Sequence, residues 1–349
     1  MTGVAEAGNA DPMTPQQLAI DQLMQRYDGD VPGASLLVLH DGVAVVRRGY
    51  GRSDLDLDVE AGPTTNYRLA SVSKQFTAAA ILLLMQDGKL GIDDRLRHWL
   101  PSLPAATDAI TLRQVLSHAS GLVDYEDLMA PDYAGQIRDA GVLELLARED
   151  RLYFPAGSAY RYSNSGYALL SLVVEKASGM AYPDFLRQRI FQPLGMGDTL
   201  AYVAGGPEVP RRAWGYSQGD GDGGQWQRTD QSSTSAVLGD GGIYSSIDDL
   251  ARWDAALYDD RLLDDATRAM AFTAQVKVTG EPYDAGYGFG WRITGDTLWH
   301  SGETIGFRNV IVRWPARRLT VVLLSNRNDP EPYATALAIG RLFDPPAAP

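Results

Sequence analysis

Two side chains suited to acyl chemistry stand three residues apart at Ser71-Val72-Ser73-Lys74. On a helix that spacing puts both on one face, so a hydroxyl and an amine can touch. An amine that takes the hydroxyl's proton turns serine into a nucleophile. The tetrapeptide opens the apolar run Gln75-Phe76-Thr77-Ala78-Ala79-Ala80-Ile81-Leu82-Leu83-Leu84-Met85, which puts Ser71 at or near the first turn of a helix. There, unpaired backbone N–H groups and the positive end of the dipole favour a developing negative charge. The lysine is informative because the chain has only Lys74, Lys89, Lys176 and Lys277. Arginine makes the better surface ion pair but cannot surrender its proton.

Two more clusters carry complementary groups. Tyr162-Ser163-Asn164 precedes a second helical pattern, Gly166 to Ala177. A phenol can share or relay a proton with a lysine, and an asparagine can hold both a lysine and a substrate amide. His300-Ser301-Gly302, followed by Glu303, lies at the end of a predicted strand. A hydrogen-bonding side chain, a small residue and a glycine suit a strand that lines a cleft, where the glycine lets substrate approach the backbone. Taken singly, all of these are ordinary: serine caps helices, lysine sits on surfaces, and tyrosine and asparagine border loops. A rival nucleophile, Ser217 in Gly215-Tyr216-Ser217-Gln218-Gly219, matches Gly-x-Ser-x-Gly. That motif requires a strand-to-helix turn, and the Asp-Gly-rich text from Gly219 to Gly224 cannot start a helix. His118 reads as structural, while Tyr125, Trp214, Tyr287 and Phe307 read equally as cleft lining or core.

The elements that must position these groups follow from pattern. Gln16 to Arg26 reads as an amphipathic helix, and Ala34 to Gly51 as a β-hairpin turning at Asp41-Gly42. From Asp87-Gly88 to about Leu257 the chain reads as mostly helical, without strong strand alternation. Gly288 to Ile293, Asp296 to His300, Phe307 to Trp314 and Leu319 to Asn326 read as successive strands, closed by a helix from Tyr333 to Leu342. Strands at both ends and helices between them imply an α/β (α+β) fold. In it, an antiparallel sheet built from both termini is flanked by helices and carries an inserted α-rich part. The expected boundaries are a disordered lead at 1–12, one catalytic domain at 13–343 and a tail at 344–349. Within the domain, a sheet subdomain spans about 13–87 and 285–343, and an α-rich one about 88–284.

In order and spacing, Ser71-x-x-Lys74, Tyr162-x-Asn164 and His300-x-Gly302 resemble the three motifs of serine penicillin-recognising enzymes. Tyr-x-Asn points to the branch with class C β-lactamases, D-alanyl-D-alanine carboxypeptidases, D-aminopeptidases and related esterases. Leu116-Ser117-His118-Ala119-Ser120-Gly121-Leu122, Gly241-Gly242-Ile243-Tyr244-Ser245 and Val321 to Asn326 resemble the same family. The likeness covers about residues 15 to 343. It implies an acyl-enzyme on Ser71, with Lys74 as base, Tyr162 as proton relay and Asn164 as the group that positions substrate and lysine. It also implies an oxyanion hole from the backbone N–H groups of Ser71 and Glu303, and substrate contacts from His300, Ser301 and Gly302. The family more often has lysine at the place of His300, where it meets a substrate carboxylate. Histidine there favours small esters or D-amino-acid amides and peptides over β-lactams. A class C-like β-lactamase and a penicillin-binding sensor without turnover are the alternatives.

Composition narrows the partners. A formal net charge of −13 repels nucleic acid and anionic membranes. With no cysteine, disulfides and thiolate chemistry are excluded. The Gln218 to Gly224 loop has the rhythm of a calcium loop but carries Gln231 where a glutamate ligand is needed, so no metal and no cofactor is expected. The expected partner is a small ester, amide or β-lactam. No basic segment followed by an apolar run opens the chain, which favours the cytoplasm, or the periplasm or exterior if a leader precedes this sequence.

Overall fold

The computed structural model describes residues 14–219, 224–278 and 285–343. The expected lead at 1–12, the tail at 344–349 and the centre of the Asp-Gly loop, 220–223, lie outside them. An eight-stranded antiparallel sheet runs in the spatial order Val276–Val278, Ala285–Tyr287, Arg292–Thr294, Thr297–Thr304, Phe307–Trp314, Leu319–Ser325, Ala34–His40 and Val43–Tyr50. The N-terminal hairpin joins the C-terminal strands by pairing Ala34 with Ser325 through to His40 with Leu319. Its turn forms where expected, because Asp41 and Gly42 take the positive φ values of 52° and 77° that a tight hairpin turn needs.

Alternation along the central strands divides the core in two. Leu36, Val38, Val321 and Leu323 face a smaller cluster with Ile20 and Met24 from the helix Pro15–Met24 and Ala336 and Ile339 from Tyr333–Arg341. Leu37, Leu39, Val322 and Leu324 face the main cluster, which includes Val72, Phe76 and Ile81. The helix Lys74–Gln86 is buried on every side from Lys74 to Leu84, as its unbroken apolar run requires. An amine at its first residue is therefore inside the protein.

The middle of the chain departs from expectation. It holds helices, including Asn164–Ser178 and Ile247–Ala256, but also short strands. Ile243–Ser245 pairs with Tyr67–Arg68 and with Leu200–Ala201, while Tyr216–Gln218 forms a hairpin with Trp226–Arg228. At two or three residues each, these strands are too short for alternation to register. Their effect is concrete, since Tyr67–Arg68 leads straight into the turn that carries Ser71.

Candidate active site

Ser71 lies in the 3-10 turn Ala70–Ser73, which continues without a break into the helix Lys74–Gln86. Ala70 just before it has φ +49°, a left-handed conformation that costs an alanine on the order of 1 kcal/mol and turns the chain sharply into the helix. Leu69 occupies the capping position without a side-chain bond, so Ser71 is not an ordinary helix cap. Its Oγ instead accepts a hydrogen bond from Lys74 Nζ at 3.1 Å.

Lys74 is fully buried, and its Nζ has two further acceptors, Asn164 Oδ1 at 2.8 Å and the Asp240 carbonyl at 2.9 Å. Three acceptors match the three N–H donors of an ammonium group. A neutral amine can keep the bonds to Asn164 and Asp240 and turn its lone pair toward the Ser71 hydroxyl. Burial lowers the Lys74 pKa from 10.5 to about 8, against the pull of the Asp240, Asp124 and Glu126 charges, while Arg292 adds to the lowering. Nζ also lies 4.8 Å from the centroid of the Tyr162 ring and 5.5 Å from that of Tyr167.

Tyr162 and Asn164 flank Ser163, whose Oγ caps the helix Asn164–Ser178 by accepting from Gly166 N–H. His118 fixes this junction. It has φ +59°, is fully buried, accepts the Ser163 N–H on Nδ1 at 3.1 Å, and packs at 4.3 Å against the Tyr162 ring. Burial and the nearby Lys74 charge hold its pKa well below 6.5, so the ring is neutral.

The third motif is on the strand Thr297–Thr304. The neighbouring strand Arg292–Thr294 pairs only with Thr297 to Trp299, so the edge from His300 to Glu303 runs on past the Ser71 turn. Gly302 is needed there, because a Cβ would fall 2.1 Å from the Leu69 carbonyl oxygen and 3.2 Å from Ser71 N. The close approach expected of this glycine is thus made by the protein's own backbone rather than by substrate. His300 also differs from expectation. It is 1% exposed, its Nε2 is 2.9 Å from the Tyr287 hydroxyl, and its Nδ1 is 2.6 Å from the Ser301 carbonyl. A carbonyl can only accept, so Nδ1 carries the proton and Nε2 accepts from Tyr287. Burial and the Arg292 charge keep the ring neutral, with a pKa well below 6.5. His300 sits behind the cleft wall and offers no cation to a substrate.

Ser71, Asn164 and Glu303 line a single cavity of about 60 Å³ together with Tyr125, Glu126 and Asp240. Larger cavities, such as one of about 540 Å³ beside Tyr182 and Tyr202, are not lined by Ser71. Acidic groups missed in the sequence surround Lys74. Asp124 accepts the Asn164 backbone N–H at 3.2 Å, and Glu126 accepts from Asn164 Nδ2 at 3.1 Å. Tyr125 donates from its hydroxyl to Asp240 Oδ2 at 3.2 Å. Burial raises the pKa of all three carboxyl groups. The acidic pair flanking Tyr125 and an aspartate among glycines at Gly239 to Gly242 were the only signals available beforehand. Of the residues read as lining or core, Tyr125 lines the cavity, Tyr287 and Phe307 are buried, and Trp214 stacks under Arg212 and Arg228. Ser217 lies in the hairpin strand Tyr216–Gln218, bonded to Thr229 Oγ1 at 2.6 Å, and the next element among the described residues is the strand Trp226–Arg228 rather than a helix.

Comparison with known proteins bears on family and fold. The Beta-lactamase family profile matches residues 17–343. Penicillin-binding protein 4* of Bacillus subtilis (strain 168) is 31% identical over 339 residues, covering 90% of this chain and 74% of that protein. Protein flp of Staphylococcus aureus (strain N315) is 27% identical over 329 residues, and the match spans 89% of this chain but only 63% of that protein. The D-amino acid amidase from Ochrobactrum anthropi SV3, solved with L-phenylalanine amide, superposes with a TM-score of 0.80 at 25% identity, covering 95% of this chain and 98% of that one. The chain belongs to the Beta-lactamase family and has the fold of its hydrolases.

Proposed function

We propose that this member of the Beta-lactamase family is a serine hydrolase that works through an acyl-enzyme on Ser71, acting on small esters or D-amino-acid amides and peptides. The observation that carries this reading is the buried Lys74 amine, bonded at once to Ser71 Oγ, Asn164 Oδ1 and the Asp240 carbonyl. An amine kept out of water, with a lowered pKa and a hydroxyl 3.1 Å away, is a general base with its nucleophile.

In the first step Ser71 Oγ bonds to the substrate carbonyl carbon as its proton passes to Nζ. The carbonyl oxygen, now negative, is held by the backbone N–H groups of Ser71 and Glu303 at the open end of the helix. Collapse of the adduct expels the alcohol or amine, which takes a proton through Tyr162. Water then enters, passes a proton to Nζ with the help of Tyr162 and bonds through its oxygen to the acyl carbon; the ester bond to Oγ breaks, the carboxylic acid leaves, and the proton returns from Nζ to Ser71 Oγ. Asn164 keeps Nζ aimed at Oγ throughout.

The charge around the cavity supports esters and amides over β-lactams. A neutral, buried His300 supplies no partner for a substrate carboxylate, and Glu126 and Glu303 line the cavity. A fluorophosphonate probe tests the nucleophile: Ser71→Ala should abolish labelling while Ser217→Ala leaves it intact, and the reverse would end this reading. Hydrolysis of nitrophenyl acetate, D-alanyl amides and nitrocefin ranks the substrates, with fast nitrocefin turnover favouring a β-lactamase. Labelling without any turnover would favour a sensor.

A further inference from the structure

We propose that the buried carboxyl group of Asp240 sets the charge state of Lys74, and with it the pH range in which Ser71 is nucleophilic. The inference rests on Lys74 acting as the base. Asp240 belongs to the short helical turn Leu238–Gly241 and touches both parts of the machinery. Its carbonyl accepts from Lys74 Nζ at 2.9 Å, its carboxyl group accepts from the Tyr125 hydroxyl at 3.2 Å, and the residue, 7% exposed, is among those lining the Ser71 cavity. The turn is held from behind, where the Asp139 carboxylate accepts the Leu238 and Gly239 N–H groups at 2.9 and 3.0 Å and Thr77 donates to the Gly239 carbonyl at 2.6 Å. These bonds fix the backbone of the turn, and with it the carbonyl that holds Nζ.

The other groups facing Lys74 are differently engaged. Asp124 and Glu126, from the turn at Tyr125–Asp127, are each tied to Asn164. Arg292 opposes the lysine charge from the strand Arg292–Thr294, and the imidazoles of His118 and His300 are neutral. The Tyr162 and Tyr167 rings face Nζ with their π surfaces. Around Asp240 itself stand Lys74, Asp139, Glu126 and Arg68, with Tyr125 as hydrogen-bond donor. Asp240 therefore combines a buried carboxyl group, one phenol donor and a backbone carbonyl bonded to Nζ.

A negative charge here has two opposing effects on acylation. It holds the proton on Lys74, which thins the population of neutral base in the pH range where Asp240 is ionised and Lys74 still titrates. It also stabilises the ammonium that forms when Ser71 gives up its proton, which speeds the step once the base is neutral. Removing the charge should lower the midpoint of the pH profile and lower its plateau, so the two profiles cross.

The test is the rate of fluorophosphonate labelling of Ser71 between pH 5.5 and 9.5 in the wild type and Asp240→Asn. The expected result is a midpoint lower by about one pH unit or more, with faster labelling than wild type between the two midpoints, above pH 7 where the Asp240 carboxyl group is charged, and slower labelling at pH 9. Loss of structure alone would lower the rate at every pH and leave the midpoint in place, and that outcome overturns the proposal. Tyr125→Phe provides a second reading if Asp240→Asn folds poorly. Without the phenol donor Asp240 holds its proton more tightly, so the midpoint should move the same way by a smaller step, and an unmoved midpoint counts against the proposal. A wild type without any alkaline limb would instead refute Lys74 as the base.

Discussion

Raising the pH from 7 to 9 should accelerate acylation of Ser71 about tenfold and then bring it to a plateau. A lysine acts as a base only when neutral, so the rate follows the deprotonated fraction. Desolvation in the cleft, opposed by nearby carboxylates, brings the Lys74 pKa down from 10.5 to about 8. About one tenth of the amines are then neutral at pH 7 and about nine tenths at pH 9, which fixes the tenfold rise. An amine with the ordinary pKa near 10.4 would instead give roughly a hundredfold rise over the same interval, still climbing steadily at pH 9.5. The position of the plateau therefore separates a buried base from an exposed one. Burial holds His118 and His300 far below 6.5, so neither should add an inflection between pH 6 and 7. The assay is single-turnover labelling with a fluorophosphonate probe at constant ionic strength, with circular dichroism at each pH to exclude unfolding. A profile flat from pH 6 to 9, or one that rises without levelling through pH 9.5, would refute the assignment of Lys74.

Further expectations follow from the same geometry. Asn164→Ala removes the acceptor 2.8 Å from Nζ; hydrogen bonds to charged groups contribute about 1.5–3 kcal/mol, so kcat/KM should fall about 10- to 150-fold, measured on nitrophenyl acetate. Gly302→Ala drives a methyl group to 2.1 Å from the Leu69 carbonyl; thermal unfolding should report a loss on the order of 1–3 kcal/mol, with labelling of Ser71 reduced, and a stable, fully reactive variant would contradict the packing. His118→Ala leaves the buried Ser163 N–H without its acceptor, at a cost of about 1–3 kcal/mol. His118→Asn, which tolerates φ +59° better and keeps an acceptor, should recover part of both stability and rate.

What the sequence revealed about this molecule divides along the range of the physics involved. The hairpin at Asp41-Gly42 and the helix after Ser71 were legible because turn chemistry and an apolar run act on adjacent residues. The strands Tyr216–Gln218 and Ile243–Ser245 were not, since three residues leave no period to read and the partners of Ile243–Ser245 lie far along the chain. The same division runs through the candidate site. Residue type and spacing brought Ser71, Lys74, Tyr162 and Asn164 forward, and the structure gathers them around one amine. Type alone could not reveal that His300 is turned behind the wall with both ring nitrogens engaged, because burial is decided by the strand's neighbours. Nor could it reveal that Asp124, Glu126 and Asp240, scattered along the chain, converge on Lys74. Those carboxyl groups change the argument most. Desolvation lowers the lysine pKa and the surrounding negative charges raise it, so the value near 8 is a balance between groups from separate segments. A Ser-x-x-Lys pair identifies a nucleophile and its base, but the working pH of that pair belongs to the cleft as a whole. Substitutions at Asp240 or Tyr125 should therefore retune it while Ser71 and Lys74 stay unchanged.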